Sequence, residues 1–212
     1  MSIGRNPGGM LTGVEAEPRP EDGRMREISV PAGPPTVTIQ LSEAIAAPID
    51  AVWPVLADAQ RVAPCLPGAE LTEEFGDDRY AGRARVAVGP VGLSFSGRAR
   101  VVERDTDAHR ITLLAAGSDV GGSTSVRLTV SATAEQDATV LFAVADVYLR
   151  GPIAQFGRAL GGEVSRQLFE EFAHAVEHSA LRGSAPVLAR PNPIAMVLGA
   201  CRARLRATWR RG

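Results

Sequence analysis

Few side chains in this sequence are spaced for chemistry, and the most suggestive are those of His174-Ala-Val-Glu177-His178. Two histidines four residues apart share one face of a helix, and H-x-x-E-H is a spacing that zinc hydrolases use. The third ligand is missing, because no Asp, Glu or His follows His178. The plainer reading puts both histidines near the solvated carboxyl end of a helix, where positive charge is favoured. His109 opens a strand after a turn, and neither Cys65 nor Cys201 has a partner that spacing can place beside it. The carboxylate pairs Glu73-Glu74 and Glu170-Glu171 lie in polar surroundings and read as solvated faces. Residues 117–122 have neither the spacing nor the following helix of a nucleotide-binding loop. No catalytic or metal centre assembles from these parts, so the chain reads as a non-enzyme.

What the chain supplies in quantity is apolar surface that can be turned inward. Phe95, Val101, Leu113, Val126, Leu128, Phe142, Val144, Phe156, Leu160, Phe169 and Phe172, with Leu66, are the candidate lining of an apolar ligand cavity. Each one alone is equally well explained as core filling, since interiors pack densely. The collective argument comes from the small residues of the same strands, Ala81, Ala84, Ala87, Gly97, Ala99, Ala115, Ala116, Ala143 and Ala145, which leave volume unfilled. Pro67-Gly68 after Leu66 sets a rigid φ beside a permissive one. It reads either as a tight loop or as a gate at the cavity mouth. Trp53 reads as a core anchor.

The periodicities supply a scaffold for these residues. Val37, Ile39 and Leu41 alternate with polar neighbours as a first strand, and Pro48 opens a short helix whose apolar face includes Ile49, Val52, Val55 and Leu56. Residues 59–63 form a second brief turn. Strand-like runs follow at about 80–88, 93–103, 109–116, 124–132 and 140–149, with a weaker one near 69–74, separated by turn formers such as Gly76-Asp77-Asp78 and Gln136-Asp137. From about Pro152 to Leu181, Phe156, Leu160, Val164, Leu168, Phe172 and Val176 recur at helical spacing. The order predicts an α+β helix-grip fold: a curved antiparallel sheet of about seven strands wrapped around a long C-terminal helix, plus two short helices. A strongly bent sheet cannot touch a straight helix along its whole length, and the gap can hold an apolar ligand.

Size and charge set further bounds. The 212 residues, 45% hydrophobic, suit one buried core with extensions. Residues 1–35 are Gly- and Pro-rich without a signal-peptide core and read as a disordered leader, ahead of a ligand-binding domain at 36–181. No run of about 18 apolar residues argues for a membrane-crossing helix, and two isolated cysteines suit a reducing cytoplasm. The net charge of −1 conceals two regions. Seven arginines and no acid follow Leu181, leaving sixteen arginines against 24 acidic residues before it. Residues 182–193, with three prolines, read as a linker spanning roughly 35 Å when extended. In residues 194–212, Ile194, Val197, Leu198, Cys201, Leu205 and Trp209 share a helical stripe with Arg202, Arg206 and Arg210 beside it and Arg204 and Arg211 on the far flank, a basic amphipathic helix suited to an anionic membrane surface. At about 1 kcal/mol each, the five arginines from Arg202 onward contribute roughly 5 kcal/mol before screening, enough for reversible attachment. A partner's groove and a merely solubilising extension are the alternatives. The acidic body and the lack of interleaved stacking aromatics argue against nucleic acid.

Several short motifs occur in a fixed order: Pro48-Ile-Asp-Ala-Val-Trp53, Asp58, Leu66-Pro-Gly-Ala69, Tyr80-Ala-Gly82, Val88-Gly-Pro-Val91, Phe95-Ser-Gly97 and Arg150-Gly-Pro-Ile-Ala-Gln-Phe-Gly157. In this combination, over about Val37 to Leu181, the sequence resembles the carbon monoxide dehydrogenase G-subunit family of the START-like (SRPBCC), polyketide-cyclase-like superfamily. The resemblance implies a non-catalytic accessory protein of a molybdenum-containing carbon monoxide dehydrogenase or related hydroxylase, working at the inner face of the cytoplasmic membrane. It also implies a quinone such as menaquinone, or a lipid, as the apolar ligand, with no covalently bound cofactor. The fold is shared with polyketide cyclases and aromatases, so an enzyme of that type is one alternative and a ligand-free assembly factor is another.

Overall fold

Alternation of apolar and polar side chains commits most of the chain to strands, and the turns between them dictate an antiparallel order. The computed structural model describes residues 28–88, 91–157 and 162–183. Its elements are β1 (Val37–Ile45), α1 (Ile49–Leu56), α2 (Ala59–Val62), a 3-10 turn (Ala63–Cys65), β2 (Ala69–Gly76), β3 (Arg79–Val88), β4 (Val91–Asp105), β5 (Arg110–Asp119), β6 (Gly122–Glu135), β7 (Ala138–Arg150), a second 3-10 turn (Pro152–Phe156) and α3 (Glu163–Arg182). The seven strands form one sheet in the order β1-β7-β6-β5-β4-β3-β2, with every neighbouring pair antiparallel. β2 to β7 run as a meander. β1 crosses back to close on β7, Val37 opposite Val147 and Ile45 opposite Thr139. The β2–β3 hairpin turns on Asp77 and Asp78, both at positive φ, a geometry that Asp tolerates and that matches the strand twist.

The helices occupy the concave side. α1 buries Val52, Trp53, Val55 and Leu56, and Pro54 inside it helps keep it to two turns. Asp58 then starts α2, its carboxylate accepting the amide hydrogens of Gln60 and Arg61. α3 buries Phe169, Phe172, Ala173, Ala175, Val176 and Ser179. It ends on Gly183, whose left-handed backbone lets its N–H reach the Ser179 carbonyl. Of the helix expected from Pro152 to Leu181, the described α3 runs from Glu163 to Arg182. Pro152–Phe156 is a 3-10 turn instead, and Gly162 adopts a non-helical backbone ahead of α3.

α3 packs most closely on β1, on α1 and on the 63–65 turn. Two hydrogen bonds pin the β1–α1 link there. The Ala46 amide donates to Glu177 Oε2 at 2.9 Å, and the buried Thr139 hydroxyl donates to the Ala47 carbonyl at 2.8 Å. Around them Ile45, Val52, Trp53, Val55, Leu141, Phe169, Phe172 and Val176 form one cluster. Leu93, Val147, Leu149 and Ile153 form a second cluster toward the opposite end of the sheet.

Candidate apolar ligand site

Directly opposed residues of an antiparallel sheet share a face, so register assigns every strand residue to the concave or the convex side. One concave row runs Ile39, Ala145, Leu128, Leu113, Val101 from β1 to β4, and the next runs Val37, Val147, Val126, Ala115, Ala99, Tyr80. A third contains Leu149, Thr124, Gly117, Gly97, Gly82 and Leu71, three of its six positions being glycine. A Cβ on Gly97 would stand 2.2 Å from the Ala116 carbonyl oxygen, and one on Gly82 2.7 Å from that of Glu70. The backbones approach closer than any side chain permits, and the sheet is creased toward its concave side along this line.

Along the crease and the small residues beside it, the middle of the concave face is partly exposed among the described residues. Val101, Leu113, Ala99 and Ala115 belong to neither packed cluster, and each keeps partial exposure. Of the candidate lining, Leu113 and Val101 occupy this middle, Leu128 borders the first cluster, and Val126 and Phe95 border the second. Phe169 and Phe172 are buried inside the first cluster, their rings stacked with centroids 6.1 Å apart, so they form its floor.

Phe142 and Val144 are corrections. Phe142 opposes Ser42 and Ser131, Val144 opposes Gln40 and Thr129, and both point to the convex side, where Phe142 is 43% exposed. The period of two leaves only one face of β7 inward, and Leu141, Ala143, Ala145, Val147 and Leu149 occupy it. Leu66 follows the 63–65 turn and is exposed, and the carbonyl of Gly68 accepts the Arg85 amide, tying the Pro67-Gly68 loop to β3. Gly68 has φ 71°, which supports the tight-loop reading of this segment. Phe156 closes the second 3-10 turn. Leu160, the 1–27 part of the leader, the linker beyond Gly183, and the tail residues Ile194, Val197, Leu198, Arg202, Leu205, Arg206, Trp209 and Arg210 lie outside the described residues.

Several polar groups near this interior are engaged by other groups. Tyr80 donates its hydroxyl to Asp78 at 3.3 Å, and Arg104 holds the same carboxylate at 2.8 Å. Burial, and then the Asp78 charge, push the Tyr80 phenol above its ordinary range, so it stays protonated. This trio was not foreseen; the signal for it is an Asp in a turn two residues before an inward Tyr. Cys65 is fully buried and its thiol is pushed up to about 11 by burial, against the opposing pull of the Ser179 hydroxyl and Arg61. It is an inert thiol, not a nucleophile. His109 sets its ring edge-on to Trp53, centroids 5.1 Å apart. Glu177, the carboxylate of the H-x-x-E-H spacing, is engaged by the Ala46 amide. Among the described residues no three metal-ligating side chains come together, and no helix is long and apolar enough to cross a membrane.

A creased antiparallel sheet gripping one long helix over a partly uncovered apolar face defines a helix-grip domain. Residues 42–180 match the family model for CoxG, the G-subunit of carbon monoxide dehydrogenase, and the chain belongs to that family. Solved structures agree on the fold. A conserved protein from Geobacillus kaustophilus superposes with a TM-score of 0.61 at 19% identity, covering 69% of this chain and 97% of its own. A Thermus thermophilus protein gives 0.51 at 16% identity, covering 70% of this chain and 100% of its own. The Zhui aromatase/cyclase from a Streptomyces species gives 0.50 at 21%, covering 69% and 94%. No curated protein matches the chain in sequence.

Proposed function

We propose that the chain is a non-catalytic accessory protein that holds an apolar ligand, a quinone such as menaquinone or a lipid, between the creased sheet and α3. In this reading it couples a molybdenum hydroxylase-type dehydrogenase to the inner face of the cytoplasmic membrane, with the basic tail as the membrane-seeking element. The observation that carries the ligand half is the strip around Leu113 and Val101, apolar, partly exposed and left between two packed clusters. Covering such a strip with a ring system removes apolar area from water at about 25 cal/mol per Å². Family membership supports the partner half. A cyclase would need polar groups converging on the interior, and the hydroxyl of inward-facing Tyr80 is directed to Asp78.

Organic extraction of the purified protein followed by mass spectrometry is expected to release a quinone or lipid. Protein that is empty and takes up no menaquinone on incubation overturns the ligand half. Replacing Arg202, Arg206 and Arg210 by Glu in the full chain is expected to abolish flotation with phosphatidylglycerol vesicles. Unchanged flotation removes the tail from the proposal.

A further inference from the structure

The convex side of the sheet carries a surface that ligand holding leaves unexplained. Arg83 and Arg85 on β3, Arg98 and Arg100 on β4, Arg127 on β6 and Arg150 on β7 are all exposed. Register places them together. Arg83 opposes Ser96, Arg85 opposes Ser94, Arg98 opposes Ala116, Arg100 and Arg127 both oppose Leu114, and Ser123 opposes Arg150. From β3 to β7 is four strand spacings, about 19 Å, and the rows extend about 20 Å along the strands.

None of the six has an ion-pair partner among the described residues. The ion-paired arginines are elsewhere: Arg79, Arg104 and Arg110 hold carboxylates at 2.6 to 3.3 Å around the β2–β3 and β4–β5 turns, and Arg166 pairs with Glu163 in α3. The acids nearest in register, Glu70 and Asp146, make no such contact with Arg83 or Arg127, and Asp146 accepts the Thr38 hydroxyl instead. Six arginines without an ion pair among the described residues share one face, with only Glu70 and Asp146 opposite two of them, in a body where acids outnumber arginines by eight. Their grouping calls for an anionic counterpart.

Shape selects among anionic counterparts. The glycine crease closes the concave side, so the arginine side is convex, and a flat bilayer would meet it along a strip that engages few of the six. A shallow concavity lined with carboxylates would engage most of them, with each guanidinium offering a fork of donors. Ser94, Ser96, Ser118 and Ser123 between the arginines are short and neutral, which leaves room for a partner's side chains. Arg98 already lies over the exposed Phe75 ring, 5.9 Å from its centroid, which restrains its guanidinium in advance. α3, and with it Gly183 at its end, lies on the opposite side of the sheet. We infer that the convex arginine face docks a carboxylate-lined, concave surface of an acidic protein partner. The inference rests on the accessory role proposed above and names the surface through which that role is exercised.

The test is titration of the full chain against the purified molybdenum hydroxylase of the same cell, beside an Arg83→Glu, Arg98→Glu, Arg100→Glu variant and the corresponding triple Lys variant. The Glu variant is expected to bind at least about tenfold more weakly and the Lys variant to keep most of the affinity. Raising salt from about 0.1 M to about 0.5 M is expected to weaken the unaltered chain far more than the Glu variant. An unchanged circular dichroism spectrum and bound-quinone content show that the variants fold. Equal affinity of the unaltered chain and the Glu variant overturns the inference and leaves the accessory role standing. Absence of binding by the unaltered chain overturns the partner assignment itself. Loss of binding to phosphatidylglycerol vesicles with retained hydroxylase affinity assigns the face to lipid and overturns the docking of a protein.

Discussion

The two halves of the concave face are built from the same strands and treated differently. Where α1 and α3 lie, Ile45, Val52, Val55, Leu141 and Val176 lose all their exposure and Trp53 keeps 9%. Over the crease, Leu113, Val101 and their neighbours remain partly open, and glycine and alanine stand where a packed core would carry larger groups. Stability is thus concentrated at the helix-covered end, which frees the creased half from having to fill itself. The hydrogen bonds that pin the β1–α1 link lie at the packed end as well.

Substitutions can break that contrast. Trp53→Ala at the packed end is expected to lower stability by about 3 to 5 kcal/mol, read from urea unfolding, with secondary binding effects only through loss of fold. Gly97→Ala places a methyl group against the Ala116 carbonyl and is expected to destabilise by about 2 to 3 kcal/mol while flattening the crease and lowering bound quinone. Leu113→Trp in the open half is expected to change stability by under about 1.5 kcal/mol yet exclude the ligand, a separation that Trp53→Ala cannot show. Phe142→Ser on the convex side is expected to leave stability within about 0.5 kcal/mol and bound quinone unchanged.

A pH titration sharpens the same comparison. The folded state holds Cys65 protonated with a thiol at about 11, against 9.0 for the ordinary thiol, so the unfolded chain ionises first. The stability that Cys65 contributes is complete below pH 9 and is lost as pH rises toward about 11; Cys65→Ala is expected to flatten that part of the stability profile. Alkylation of the thiol at pH 8 is expected to follow unfolding, not to precede it.

Most of the architecture was legible because it depends on local pattern. Alternation located the strands, the Pro48 helix start fell one residue from the observed Ile49, and Val164, Phe172 and Val176 announced α3. What failed depended on pairing. Most of residues 140–145 are apolar, so Phe142 and Val144 looked as inward as Ala143 and Ala145 until the register with β1 and β6 decided between them. The alignment of Gly82, Gly97 and Gly117 in one row is likewise invisible in a linear reading, because three separate strands supply them. The arginine face was hidden for the same reason, while the charge count drew attention to the tail instead.

The pairing of the first strand with the last one fixes when the molecule can form. Thr38 bonds to Asp146, 108 residues further along the chain, so an emerging polypeptide holds β1 without its neighbour until nearly the whole sheet has been synthesised. Closing so long a loop is slow relative to hairpin formation. The meander from β2 to β7 can therefore pair strand by strand while β1 still awaits its partner.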